Sequence, residues 1–172
     1  MLLETDRLSL SVPSVDHFEG YRGLWGDEPP EFEGMPHFPA LRQEEGLTRL
    51  LRAIGQWTIY GFGPFMVFER ASGAVVGEVG FSWIRRDIAP GFDEAPEAMW
   101  KIHRRLRGLG IAREALEAAI GWFDREHGPQ RTVCMIDAPN VPSLKLAEQF
   151  GFRTFASGLY SGNPVLLLER GA

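Results

Sequence analysis

The segment Arg107-Gly108-Leu109-Gly110-Ile111-Ala112 stands between a short strand-like stretch and the strongest helical pattern in the chain. A helix start presents N–H groups without intrahelical partners and the positive end of the helix dipole. Glycines ahead of it let the backbone approach an anion with no Cβ in the way. The combination predicts a cradle for a phosphate or pyrophosphate. A nucleoside-triphosphate P-loop would end in Gly-Lys-Ser or Gly-Lys-Thr, but here Gly110 is followed by Ile111-Ala112-Arg113-Glu114. A dinucleotide fingerprint would carry a third Gly or Ala where Arg113 stands, and would open a βαβ unit instead of lying late in the chain.

The elements that must position this cradle follow from hydrophobic periodicity. Leu3 to Val12 alternates like one half-buried strand. Ser14 then caps a short helical pattern through Phe18, Tyr21 and Leu24. Positions 26–39, GDEPPEFEGMPHFP, form a proline-stiffened acidic loop, and Leu41 to Trp57 returns to helical spacing. A meander follows, PFMVFER, a turn at Ala71 to Gly73, then AVVGEVGFSWI. After a polar loop from Asp87 to Pro96, Glu97 to His103 is a strand candidate. The helix at the cradle runs through Ala112, Ala115, Leu116, Ala119, Ile120 and Phe123 and closes at His127 and Gly128. RTVCMID reads as a buried strand, Pro142 to Phe150 as a helix, and the end as a hairpin around Ser161 to Asn163. The predicted order is βααβββαβαββ, with no repeat and no internal boundary.

The 172 residues suit one domain, and 44% hydrophobic with 24% charged residues allow a real core. Eighteen Lys and Arg against 23 Asp and Glu give a net charge of −5, the wrong sign for a general nucleic-acid binder. No apolar run approaches the roughly 18 to 20 residues of a membrane span, so no membrane partner is expected. The single cysteine, Cys134, has no second thiol for a disulfide or zinc site and fits a cytoplasmic protein. It reads as a core residue. His17, His37, His103 and His127 show no ligand spacing, so no metal is expected.

The cradle resembles the Q/R-x-x-G-x-G/A signature of the GNAT superfamily of N-acetyltransferases at Arg107, Gly110 and Ala112. Two more stretches carry the resemblance. Asn140-Val141-Pro142-Ser143, followed by LKLAEQF and Gly151-Phe152, is similar to the family's N-x-x-S ending. PEAMWKIHRRLRG is similar to its fourth strand, with Glu97 and Trp100 matching the P-E-x-G-W opening of one branch, and LYSGNPVLLLER to its last hairpin. That branch includes the ribosomal-protein N-terminal acetyltransferases. The likeness spans essentially residues 1–172 and implies a single-domain α/β (α+β) GNAT fold: a mixed, mostly antiparallel sheet of six to seven strands flanked by about four helices.

The same resemblance implies acetyl-CoA as cosubstrate and a primary amine as acceptor, either a protein N-terminus or a small-molecule amine, attacked directly in a ternary complex. Backbone N–H groups from Arg107 through Gly108, Leu109, Gly110 and Ile111 to Ala112 would bind the pyrophosphate. Backbone groups of Trp100, Lys101 and Ile102 would pair with the pantetheine arm like an added strand, and an N–H near Lys101 or Ile102 would face the thioester oxygen. Asn140 would bond the pantetheine or adjacent backbone. Ser143 would meet the thiol sulfur or merely cap the following helix. Some members place a glutamate base and a tyrosine acid where this chain has Met135 and Ala147. Neither residue transfers a proton, which motivates two alternatives: catalysis by positioning with another carboxylate, or a non-catalytic acyl-CoA-binding module on the same fold. The carboxylate candidates are Glu97 and Glu78, each otherwise readable as a plain surface acid or a partner for a nearby arginine. Tyr160 would protonate sulfur, line the acceptor cleft or simply pack. Asp27, Glu28, Glu31 and Glu33 would favour a cationic acceptor or form a solvated loop. Trp25, Trp57 and Phe38 would wall the acceptor side or pack. The resemblance is compatible with a homodimer.

Overall fold

The computed structural model describes residues 2–26, 29–31 and 33–171. Its centre is an eight-stranded sheet in the order β1-β2-β3-β4-β5-β6-β8-β7. The strands are β1 (Leu2–Glu4), β2 (Leu8–Ser11), β3 (Pro64–Glu69), β4 (Val75–Ser82), β5 (Glu97–Ile102), β6 (Thr132–Asp137), β7 (Arg153–Tyr160) and β8 (Asn163–Arg170). Four α-helices, α1 (Phe18–Leu24), α2 (Gln43–Tyr60), α3 (Ile111–His127) and α4 (Val141–Gln149), complete it.

One strand more is present than expected because the opening segment divides. Thr5 folds back on Leu8, its N–H donating to the Leu8 carbonyl and its hydroxyl accepting from the Leu8 N–H, so 2–11 is a hairpin and not a single strand. The family's fourth strand is therefore β5 here. The helix expected over Pro142 to Phe150 begins one residue earlier, at Val141, with Pro142 in its first turn, where a missing N–H costs nothing.

All neighbouring strands run antiparallel except β5 and β6, which are parallel and joined by the crossover helix α3. α3 buries one stripe, Ile111, Ala115, Leu116, Ala119, Ile120 and Phe123, against Val79, Phe81, Ala98, Ile102, Cys134 and Ile136. Phe123 stacks on Phe81 with centroids 4.0 Å apart and meets Phe62 edge-on at 5.2 Å. On the opposite face two smaller clusters sit apart. Tyr21, Leu50 and Met66 join α1 and α2 to β3. Phe92 and Ala95 of the loop before β5 cover Val133, Val165 and Leu167. Between them lies the strip of β4 and β5 that carries polar side chains.

Phe123 is fully buried and clasps α3 to the sheet. Phe123→Ala is expected to cost about 3–5 kcal/mol, read as a lower urea midpoint at unchanged slope.

Candidate active site

β5 and β6 share one registered pair, Glu97 with Val133, closed by the Val133 N–H donating to the Pro96 carbonyl at 3.0 Å. Beyond it the two strands diverge, so the edge of β5 from Ala98 to Ile102 that faces β6 has no ladder partner. This wedge opens towards the loop that starts α3. There Gly108 (φ 76°) and Gly110 (φ 78°) adopt the left-handed conformation that a Cβ disfavours. Gly110 is the N-cap of α3, and no side chain caps it. The first bond into the helix end is from the Glu114 N–H to the Gly110 carbonyl, which leaves the preceding first-turn N–H groups pointing outward.

The loop is held from outside. Arg7 donates to the Leu109 carbonyl at 2.9 Å and pairs with Glu114 at 2.6 Å. Partial burial opposes ionisation of Glu114, but hydrogen bonds from Thr5 and Arg7 outweigh it and hold the carboxyl below its usual range. Arg107 donates to the Ile102 carbonyl at 3.3 Å and to Glu31 at 2.6 Å. The acidic loop is thereby tied to the cradle side at Glu31. Of its other acids, Glu33 is exposed, and Asp27 and Glu28 lie outside the described residues. An acceptor-attracting role for Glu31 is not what this contact supports.

The far wall of the wedge is β6 and the start of α4. Asn140 is the N-cap, its Oδ1 accepting from the Ser143 N–H at 3.2 Å. The capping role allowed for Ser143 thus belongs to Asn140, and Ser143 is a first-turn residue. Met135 is half-buried and Ala147 fully buried in the core, so neither position offers a proton. Cys134 is buried on the α3 side, where burial pushes its thiol up.

The polar strip lies on the face opposite α3. Glu78 on β4 and Lys101 on β5 are directly opposed in register, as are Ser82 and Glu97. Glu78, Ser82 and Glu97 are all buried. Glu97 receives both arms of Arg86, each at 2.7 Å, and Arg86 also donates to the Tyr160 hydroxyl at 2.7 Å. Glu97 therefore sits at the closed end of the wedge as half of an ion pair with Arg86, the arrangement of the arginine-partner alternative. Tyr160 joins the same network and lines the strip from the β7 side. Arg86 carried no local sequence signal.

Glu78 differs. The Tyr21 hydroxyl reaches its two oxygens at 3.2 and 3.4 Å, and the Arg49 Nε lies 4.0 Å away, beyond hydrogen-bond range. Burial pushes the Glu78 carboxyl up, against the pull of Arg49, Tyr21, Arg52 and Lys101. Trp25 stands over this group, with the Arg49 guanidinium 3.6 Å and the Lys101 ammonium 4.5 Å from its ring centroid. Trp25 is thus part of the polar strip, whereas Trp57 packs in the core against Phe65 and Trp122 and donates to the Pro64 carbonyl. Phe38 is exposed. Tyr21 and Arg49 were visible in the sequence only as members of helical patterns.

A split parallel pair beside an uncapped, glycine-led helix fits what the comparisons with known proteins return. Residues 7–153 match the acetyltransferase (GNAT) domain family. A Bordetella pertussis protein assigned to the GNAT family of acetyltransferases is 35% identical over 99% of both chains, with a TM-score of 0.89. The chain belongs to the GNAT acetyltransferase family. The GNAT fold extends to an acetyltransferase from Agrobacterium tumefaciens, 20% identical over 100% of this chain and 95% of that one at a TM-score of 0.78. It extends also to a ribosomal L7/L12 alpha-N-protein acetyltransferase solved in complex with coenzyme A, 17% identical over 99% and 98% at 0.79. As a GNAT domain the chain keeps Arg107 to Ala112 at the mouth of the wedge, Trp100 to Ile102 along its β5 edge and Asn140 with Ser143 on its β6 side.

Since the Glu78 carboxyl is raised in the fold, its protonated form is favoured there, and its contribution to stability is complete below the unfolded value near 4.5 and declines as pH rises. Glu78→Gln keeps an acceptor for Tyr21 without a charge. The melting temperature of the variant relative to wild type is expected to rise as the pH is raised above 4.5.

Proposed function

We propose that this GNAT domain transfers acetyl from acetyl-CoA to a primary amine by direct attack in a ternary complex. The observation that carries the reading is the wedge: an unpartnered β5 edge running into outward-pointing N–H groups at the start of α3. The edge suits an extended pantetheine amide chain, which would pair with Trp100, Lys101 and Ile102 as a strand does. The N–H groups from Arg107 through Gly108, Leu109 and Gly110 to Ile111 and Ala112 suit the pyrophosphate. Asn140 keeps the α4 end of the wedge in shape, which leaves the Ser143 hydroxyl available to the sulfur.

In this reading the amine nitrogen attacks the thioester carbon, and the oxygen takes up charge facing a backbone N–H at Lys101 or Ile102. The C–S bond breaks and the thiolate leaves, a step that needs little acid help because a thiol near 8.5 is a good leaving group. Tyr160, whose oxygen already accepts from Arg86, keeps its own proton for a neighbour. The ammonium proton passes to Glu78, directly or through water. A buried carboxylate with a raised pKa is suited to that task near neutral pH. Most of the rate then comes from holding amine and thioester together.

Acetyl-CoA is expected to raise the melting temperature, and a panel of primary amines to release thiol from it. Glu78→Gln should lower kcat on the order of 10²-fold with the acetyl-CoA-induced stabilisation retained. Stabilisation with no thiol release from any amine would favour the non-catalytic acyl-CoA-binding module; no stabilisation would remove both readings.

A further inference from the structure

We propose that Arg49 is the anion-binding residue of the acceptor cleft and that the acceptor is a free α-amino acid, recognised by its carboxylate; this rests on the acetyl-transfer reading above. Arg49 projects from α2 and lies flat on Trp25, its guanidinium carbon 3.6 Å from the ring centroid. Stacking of that kind fixes the guanidinium plane, whose terminal nitrogens would take a carboxylate in a two-pronged fork beside the Tyr21 hydroxyl that interacts with the same group. The Nε atom is buried and has no hydrogen-bond partner among the described residues. Its nearest carboxylate, Glu78, stops at 4.0 Å. The side chain as a whole is 31% exposed, so the stacked group borders open space and is not sealed in the core.

Position ties this group to the thioester. Trp25 also carries the Lys101 ammonium, 4.5 Å from its centroid, and Lys101 belongs to the β5 edge along which the pantetheine would run. An anion held at Arg49 therefore lies beside the strand that faces the thioester. Charge points the same way. Arg49, Arg52 and Lys101 all act on the buried acid Glu78. A purely cationic amine would meet repulsion here, while an α-amino acid brings a carboxylate one carbon away from its nitrogen. A peptide N-terminus lacks that group, because its carboxyl is consumed in an amide. The neighbouring cations also favour the neutral, nucleophilic form of the amine.

The test compares free L-amino acids with their amides and with dipeptides of the same first residue, by thiol release from acetyl-CoA. The free acids are expected to exceed their amides in kcat/KM by about ten- to a hundredfold, the worth of one charge-assisted contact. Arg49→Gln should erase that ratio by raising KM for the acids, and Arg49→Lys should restore part of it; acetyl-CoA-induced stabilisation in each variant shows that it is folded. Equal or better use of amides or dipeptides overturns the proposal and leaves acetyl transfer standing, as does an Arg49→Gln protein that keeps the ratio. An acetyl-CoA-stabilised protein that neither binds nor acetylates any amino acid overturns it too. Absence of any acetyl-CoA effect overturns instead the reading on which it rests.

Discussion

Two parallel strands that pair at one point and then part are the constraint on which the rest depends. Every other ladder in the sheet is antiparallel and pairs along at least three registered residues. β5 and β6 meet only at Glu97 and Val133, so the polar edge beyond that pair must be satisfied by solvent or by a ligand with amide groups of its own. A parallel pair also demands a crossover, and α3 provides it, which places a helix N-terminus at the open end of the wedge. The closed end is locked by the buried Arg86–Glu97 pair. Losing one partner of such a pair strands the other charge, at a cost of about 3–5 kcal/mol. The separation of the strands is thus maintained from both ends.

Charge divides the molecule by face. The α3 face is apolar and aromatic, whereas the opposite face sets Glu78, Glu97, Arg86, Arg49 and Lys101 along one strip between two small apolar clusters. Arg86 and Glu97 cancel, and Arg107 is tied to Glu31. Glu78 is the buried acid left in reach of several cations, held by hydrogen bonds from Tyr21 and not by a close ion pair. A protein that is acidic overall therefore gathers Arg49, Arg52 and Lys101 around the buried Glu78 on this face.

Elements with strong local signals were legible in the sequence. The apolar stripe of α3, its glycine-led start and its stop at Gly128 lie within one stretch of chain, as does the β7–β8 turn at Ser161 and Gly162. The division of β1 from β2 was not legible, because Thr5 to Arg7 interrupts an alternation that continues on both sides. The glycine-led turn into α3 was readable because Arg107 to Ala112 form one contiguous motif. The polar strip was not, since Tyr21, Arg49, Glu78, Arg86 and Lys101 come from five separate segments and meet only through β4–β5 register and the docking of α1 and α2. One hint was present: Glu78 stands at a strand position flanked by Gly77 and Val79, where a buried carboxylate demands partners.

Backbone amide hydrogen exchange with and without acetyl-CoA tests the central claim most directly. The wedge predicts slowed exchange in Ala98 to Ile102 of β5 and in Gly108 to Arg113, with β1 to β3 unchanged. Protection confined to other parts of the chain, with β5 and the start of α3 unaffected at saturating acetyl-CoA, would contradict it.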